Sequence, residues 1–251
     1  MSPMWAQKAV FQYWIESANR SYNWAGTRVA DLCPKRLLDV GCGDGSRLLE
    51  YIQSPPDTFC GIEGNPVLMK KAQERGIQVQ AFDLNQRWPY ADASFDVLHS
   101  SQVIEHVHNT RLFASEALRV LAPGGVAIVT SENLTSWLNT TALILGYTPF
   151  SLQQTCGWYL GNPFGLHSGE EIDIDLHSVS QQDPAFSGIS GHNRVLGARQ
   201  AYELFCRVGF SNVEIQTVGL MPMPGILGRR LERVFRYRGH WLLVAARKAV
   251  E

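Results

Sequence analysis

Residues 36–52, RLLDVGCGDGSRLLEYI, carry the first chemistry. An apolar run stops at Gly41, a G-x-G turn follows through Cys42 to Gly43, and apolar residues then resume at helical spacing. Strand, glycine turn and helix in that order can seat a nucleotide in two ways. One cradles an anionic pyrophosphate on backbone amides at a helix start. The other seats a nucleoside whose reactive end is a cation. The neighbouring residues point to the second. A dinucleotide loop reads G-x-G-x-x-G, and Ser46 stands where its third glycine would be. Asp39 precedes the loop and Asp44 lies within it. A carboxylate about 4 Å from a pyrophosphate charge opposes it by on the order of a few kcal/mol. A ligand with an ammonium and a sulfonium is comfortable there, and S-adenosylmethionine is such a ligand.

The following segments complete a nucleoside site. Glu63, with Gly64 beside it, lies 20 residues beyond Gly43 and ends an apolar run, where a carboxylate can accept both ribose hydroxyls. Asp83 lies 20 residues further on. Its side chain is suited to the adenine amino group and the Leu84 amide to a ring nitrogen. Then comes SSQVIEHV, residues 100–107, at the mouth where a reactive methyl would sit. His106 is placed there as a candidate base, with Glu105 beside it; the plainer reading is that both brace the pocket by hydrogen bonds. Methyl transfer asks the protein mainly for alignment, and a base only where the acceptor must lose a proton early. His167 and His192 are the alternatives, since either can fold over the site. Residues 166–178, LHSGEEIDIDLHS, crowd four carboxylates between two histidines. Acids at alternate strand positions share a face and repel, so no metal is expected there. The five cysteines are scattered without a C-x-x-C, and no zinc is expected either.

These residues need a scaffold that brings successive loops together. Helical spacing covers 4–18, followed by a loop rich in Asn and Tyr. Strands are expected at 36–40, 58–63, 77–83, 94–100 and 126–132, and helices at 45–53, 66–76 and 110–121, with APGG as a break before the fifth strand. Strand alternating with helix predicts an α/β fold, a doubly wound, Rossmann-like and mostly parallel sheet with ligands at the carboxyl ends of the strands. From 133 to 193 the rhythm fails, as expected of a functional cap. A helix at 197–210 and strands at 212–219 and 239–248 close the chain. One domain results: an N-terminal helical lid (1–30), a cofactor half (31–132), a substrate cap (133–196) and a C-terminal helix and strand pair (197–251).

LLDVGCGDG, GIEGNP, AFDLNQRWPYADASFDVLHSSQVIEHV and EALRVLAPGGVAIVTSEN together resemble the successive motifs of the class I S-adenosylmethionine-dependent methyltransferases. The resemblance covers 36–132, and GHNRVLGARQAYELFCRVGFSNVEI is similar to the family's last helix and strand. It implies a seven-stranded sheet with an antiparallel closing strand and the cap inserted between the fifth and sixth strands. It puts Gly41, Cys42 and Gly43 under the methionine portion, Glu63 on the ribose, Asp83 and Leu84 on the adenine, and Ser101 or Gln102 near the ribose–methionine junction. Asp39 would hold the loop, or the ammonium through water. The implied activity is methyl transfer to an oxygen or nitrogen of a small molecule or glycan unit.

The formal net charge of −1 and the lack of a basic, aromatic-lined groove argue against a nucleic-acid partner. No window approaches the roughly 20 apolar residues that span a bilayer, and the N-terminus does not read as a secretory signal. Reduced thiols suit a cytoplasmic protein. A homodimer is compatible with the sequence. The arginines from Arg229 to Arg238 flank an apolar stripe and read as a surface helix packed on the sheet. Two rival functions share the pocket: a non-methylating enzyme that cyclises or transfers another alkyl group of the cofactor, and a cofactor-binding protein without turnover.

Overall fold

The structure is a computed structural model that describes residues 4–152, 192–221, 223 and 225–250. Seven strands form one sheet: β1 (Arg36–Val40), β2 (Thr58–Ile62), β3 (Gln78–Gln80), β4 (Phe95–Ser101), β5 (Leu121–Glu132), β6 (Asn212–Val218) and β7 (Trp241–Arg247). Their order is β3-β2-β1-β4-β5-β7-β6. β1 to β5 pair in parallel, and β7 runs antiparallel between β5 and β6. The central strands are covered on both faces, so they read as apolar runs. Leu38, Leu98 and Val129 enter one core, and Leu37, Val97 and Ile128 enter the other. Helices α4 (Thr110–Val120) and α6 (Ala198–Val208) pack on the first face. α1 (Met4–Leu32), α2 (Ser46–Leu49) and α3 (Pro66–Glu74) pack on the second. This is the expected Rossmann-like architecture.

Several element bounds differ from the sequence reading, each for a local reason. The expected Asn- and Tyr-rich loop is helical, and α1 runs unbroken to Leu32. Its inner face continues through small side chains, Ser17, Ser21 and Ala25, which a hydrophobic pattern does not register. Ser17 accepts the Trp241 indole N–H at 3.0 Å, tying α1 to β7. α2 has only four residues, because the chain turns at Tyr51, which packs its ring over Gly26 and bonds Asn23. β3 ends at Gln80 rather than at Asp83, since the Asp83 carboxylate captures the Asn85 amide and turns the chain early. APGG does not break the chain but bulges inside β5: Phe95 pairs with Leu121 and Val97 with Val126. There is no long arginine helix either. α7 spans only Gly225–Leu231, turns follow, and Leu227 and Val234 point outward instead of onto the sheet.

The segment after β5 begins with α5 (Trp137–Ile144) and a single 3-10 turn at Phe150–Leu152. Leu138, Ala142 and Phe150 pack against Val10, Tyr13 and Met221, so this part of the cap sits on the start of α1. His167, the acidic run 170–175 and the aromatics 158–164 lie outside the described residues.

Candidate functional site

In a parallel sheet the carboxyl ends of the strands share one edge, and the candidate residues gather there. Ile62 O accepts the amides of Gly41 (2.7 Å) and Cys42 (3.1 Å), and Gln80 O accepts the Glu63 amide. Gln102 N donates to Thr130 O at 2.9 Å. Each strand end is thereby laced to its neighbour. Gly41 has φ +73, and a Cβ there would lie 2.3 Å from Val103 Cγ2. Gly43 has φ +57 and faces open space.

The loop spends its amides inside the protein. Gly43 N donates to Glu63 Oε2 at 2.9 Å, Gly45 N to Cys42 O and Ser46 N to Asp44 Oδ1. With Gly41 and Cys42 also bound, the turn presents a carboxylate where an anion cradle presents N–H groups. Glu63 is held by a second amide, Asn65 N at 2.7 Å on Oε1, which leaves further lone pairs on both oxygens. Burial pushes the Cys42 thiol up, and the nearby Asp39 and Glu63 carboxylates add to the shift, so Cys42 stays a neutral packing group.

The other two acids are already paired. Asp39 is buried and bonds His99 on β4, Oδ1 to Nδ1 at 2.7 Å, instead of facing the loop. Asp44 is bound by the Ser46 hydroxyl and amide and by Arg75, which hold its carboxyl below the usual range. Among these acids Glu63 is the one bonded directly to the glycine turn. Asp83 sits in the turn after β3, with Asn85 on one oxygen and Gln86 on the other. Leu84 packs against the core beside it.

At the end of β4, Ser101 Oγ meets Thr130 Oγ1 at 2.8 Å. Gln102 adopts φ +57, rare for a residue with a side chain, and its amide reaches Thr130 as well. This kink leads into a 3-10 turn at Ile104–His106. Glu105 is fully buried there, Oε2 accepting from Ser131 Oγ at 3.0 Å and Oε1 having no hydrogen-bond partner. Burial pushes its carboxyl up to about 8. Asn193 and Arg194 donate their amides to Glu105 O, and Asn193 Nδ2 donates to His106 O. That strap brings the His192 ring onto the His106 ring, with centroids 4.8 Å apart. One ligand-type atom from each of Glu105, His106 and His192 lies within 4.8 Å of the others. Three candidates 87 residues apart in the chain thus meet, although no metal was expected from the sequence.

The sequence reading missed the polar end of β5. Glu132 is buried with its carboxylate 3.8 Å from His192 Nδ1 and 3.7 Å from His240 Nε2. Asn133 binds Tyr237 O, Gly239 O and the Ala198 amide, locking the cap's root to β7 and α6. The signal was present as polar residues closing an apolar strand, at the edge where ligands bind. A cavity of about 820 Å³ between α1 and strands β5 to β7 shares no residue with this site.

A family model described as a methyltransferase domain matches residues 16–215. Norajmaline N-methyltransferase of Rauvolfia serpentina is 32% identical over 105 residues, 39% of this chain and 36% of that protein. A ubiquinone biosynthesis O-methyltransferase of Agrobacterium fabrum is 29% identical over 142 residues, 55% of this chain and 53% of its own length. The chain thus spans between about a third and a half of these curated relatives. The fold is similar to that of an S-adenosylmethionine-dependent methyltransferase from Thermotoga maritima: TM-score 0.54, 17% identity, covering 96% of this chain and 97% of the other.

Proposed function

The chain belongs to the methyltransferase-domain family, whose cofactor is S-adenosylmethionine, and from that premise we propose that it methylates an oxygen or nitrogen of a small-molecule or glycan-related acceptor. The observation that carries the cofactor's place is the Gly43 amide closed by Glu63. An anionic pyrophosphate would find a carboxylate there and no free amide at Gly41, Cys42 or Gly43. A cationic amino acid end finds a favourable field.

The cofactor supplies an electrophilic methyl group on a sulfonium. The chain's residues bind and align. Glu63 accepts the ribose hydroxyls on its remaining lone pairs. Asp83 and Leu84 hold the adenine, and Gly41 to Gly43 line the methionine portion, where Gly43 has the open space that a side chain would fill. Ser101 and Gln102, fixed through Thr130, border the junction with the acceptor space. Glu105, His106 and His192 face the acceptor, and His106 takes the proton that the acceptor loses. The N- and O-methyltransferases among the relatives support both acceptor atoms.

The test is mass spectrometry of the protein incubated with S-adenosylmethionine, alone and with a mixed acceptor pool. S-adenosylhomocysteine formed only with acceptors is the expected result. Methylthioadenosine formed without any acceptor would overturn the reading, as would binding with no turnover across a broad acceptor panel.

A further inference from the structure

We infer that Glu105, His106 and His192 form a binding site for a divalent transition-metal ion, with a position left open for an acceptor oxygen. Two imidazoles and one carboxylate are a donor set suited to zinc and its first-row neighbours, and three protein ligands leave coordination sites for a reactant. Donor atoms about 2.1 Å from one tetrahedral ion lie about 3.4 Å apart. These lie within 4.8 Å of one another, so side-chain shifts of up to about an ångström gather them.

The surroundings orient the donors. The His192 Nδ1 lies 2.8 Å from Ser151 O, and a carbonyl can only accept. Nδ1 is therefore the donor, and in the neutral form of the ring the Nε2 lone pair is left for a ligand. Metal-bound histidines are held by this kind of outer bond. Glu132, 3.8 Å from the same Nδ1, adds a carboxylate behind the ring. Glu105 is independent evidence. It is wholly buried, Ser131 holds one oxygen, and the other makes no hydrogen bond of normal geometry. A buried acceptor left unbonded is costly, and a cation beside it removes that cost. The strap from Asn193 and Arg194 to the Glu105 carbonyl explains how so distant a histidine is held in place.

The use of the ion rests on the methyl-transfer reading: an acceptor hydroxyl bound to it would lose its proton more readily, and His106, as a ligand, would then leave that proton to solvent instead of taking it. The binding of the ion does not rest on that reading, so the two can fail separately. The experiment is titration of the purified metal-free protein with Co²⁺, following d–d absorption in the visible, alongside calorimetry with S-adenosylmethionine. One Co²⁺ per chain is expected, with affinity falling at least about tenfold in both Glu105→Gln and His192→Ala. S-adenosylmethionine affinity is expected to stay within about twofold in His192→Ala, which also shows that variant to be folded. No Co²⁺ bound, or binding unaltered in both variants, overturns the metal site. Loss of S-adenosylmethionine binding in the wild type strikes the proposed function and leaves the metal result to be read by itself.

Discussion

The Glu63 carboxylate accepts the Gly43 amide at 2.9 Å, so the turn that resembles an anion cradle is closed by an anion. Charged hydrogen bonds contribute about 1.5–3 kcal/mol each. Glu63→Ala removes this bond, the bond from Asn65 and the proposed ribose contact. S-adenosylmethionine affinity should fall about 10- to 100-fold by calorimetry. An unchanged affinity, or a gain of NAD binding by the wild type, would count against the cationic-ligand reading.

Gly41 and Gly43 share a positive φ but not the same surroundings. Alanine at either position costs about 1–2 kcal/mol in backbone strain. At Gly41 its Cβ also meets Val103 Cγ2 at 2.3 Å. Gly41→Ala should therefore lower the melting temperature more than Gly43→Ala. Gly43→Ala should act mainly on cofactor affinity, because its methyl enters the open space. Thermal melts with and without S-adenosylmethionine separate the two effects.

Asp39 and His99 bind each other within the sheet. Asp39→Asn should cost about 1.5–3 kcal/mol of stability, read from denaturant melts. It should leave S-adenosylmethionine affinity within about threefold. A large loss of affinity with unchanged stability would return Asp39 to the cofactor site.

His106→Ala should lower kcat by about 10²- to 10⁴-fold once an acceptor is known, with S-adenosylmethionine affinity nearly unchanged. If kcat stays within a few-fold, His106 braces the pocket and handles no proton.

Glu116 receives the Trp88 amide at 2.7 Å and the Arg119 guanidinium at 2.6 Å. Burial alone would raise its carboxyl, but Arg119 and Trp88 outweigh that and hold it below the usual range. A carboxyl lowered in the folded state contributes stability that is present above its unfolded value, about pH 4.3, and lost as pH falls through the lower folded value. Glu116→Gln should flatten that part of the stability–pH profile. It should also cost about 1.5–3 kcal/mol at neutral pH. Denaturant midpoints measured across the acid range decide it.

What was legible in the sequence follows from short-range rules. The apolar run 36–40, the glycine turn and the Asn65–Pro66 helix start need only neighbouring residues to be recognised, and Asn65 does cap α3 with its side chain. The spacing of Gly43, Glu63 and Asp83 follows from repeated strand–helix units, which deliver one loop after another to a common edge. The readings that failed did so where distant packing outweighs local pattern. Ser17 and Ala25 look like loop residues until β7 lies against them. Leu227 and Val234 look like a buried stripe, yet no sheet face receives them.

The sequence by itself determined the family and the order of the strands' loops, because these depend on patterns along the chain; that Glu63 closes the glycine turn came from the structure. Only the tertiary structure decided what each acid near the pocket is bonded to. Asp39 is spent on His99 and Asp44 on Arg75, partners 60 and 31 residues away in the chain. It also decided that Glu105, His106 and His192 belong to one cluster. The physical reason is that charge and coordination depend on distances of a few ångströms, and those are set by how β4, β5 and the strap at 192–194 pack, not by their spacing in the chain.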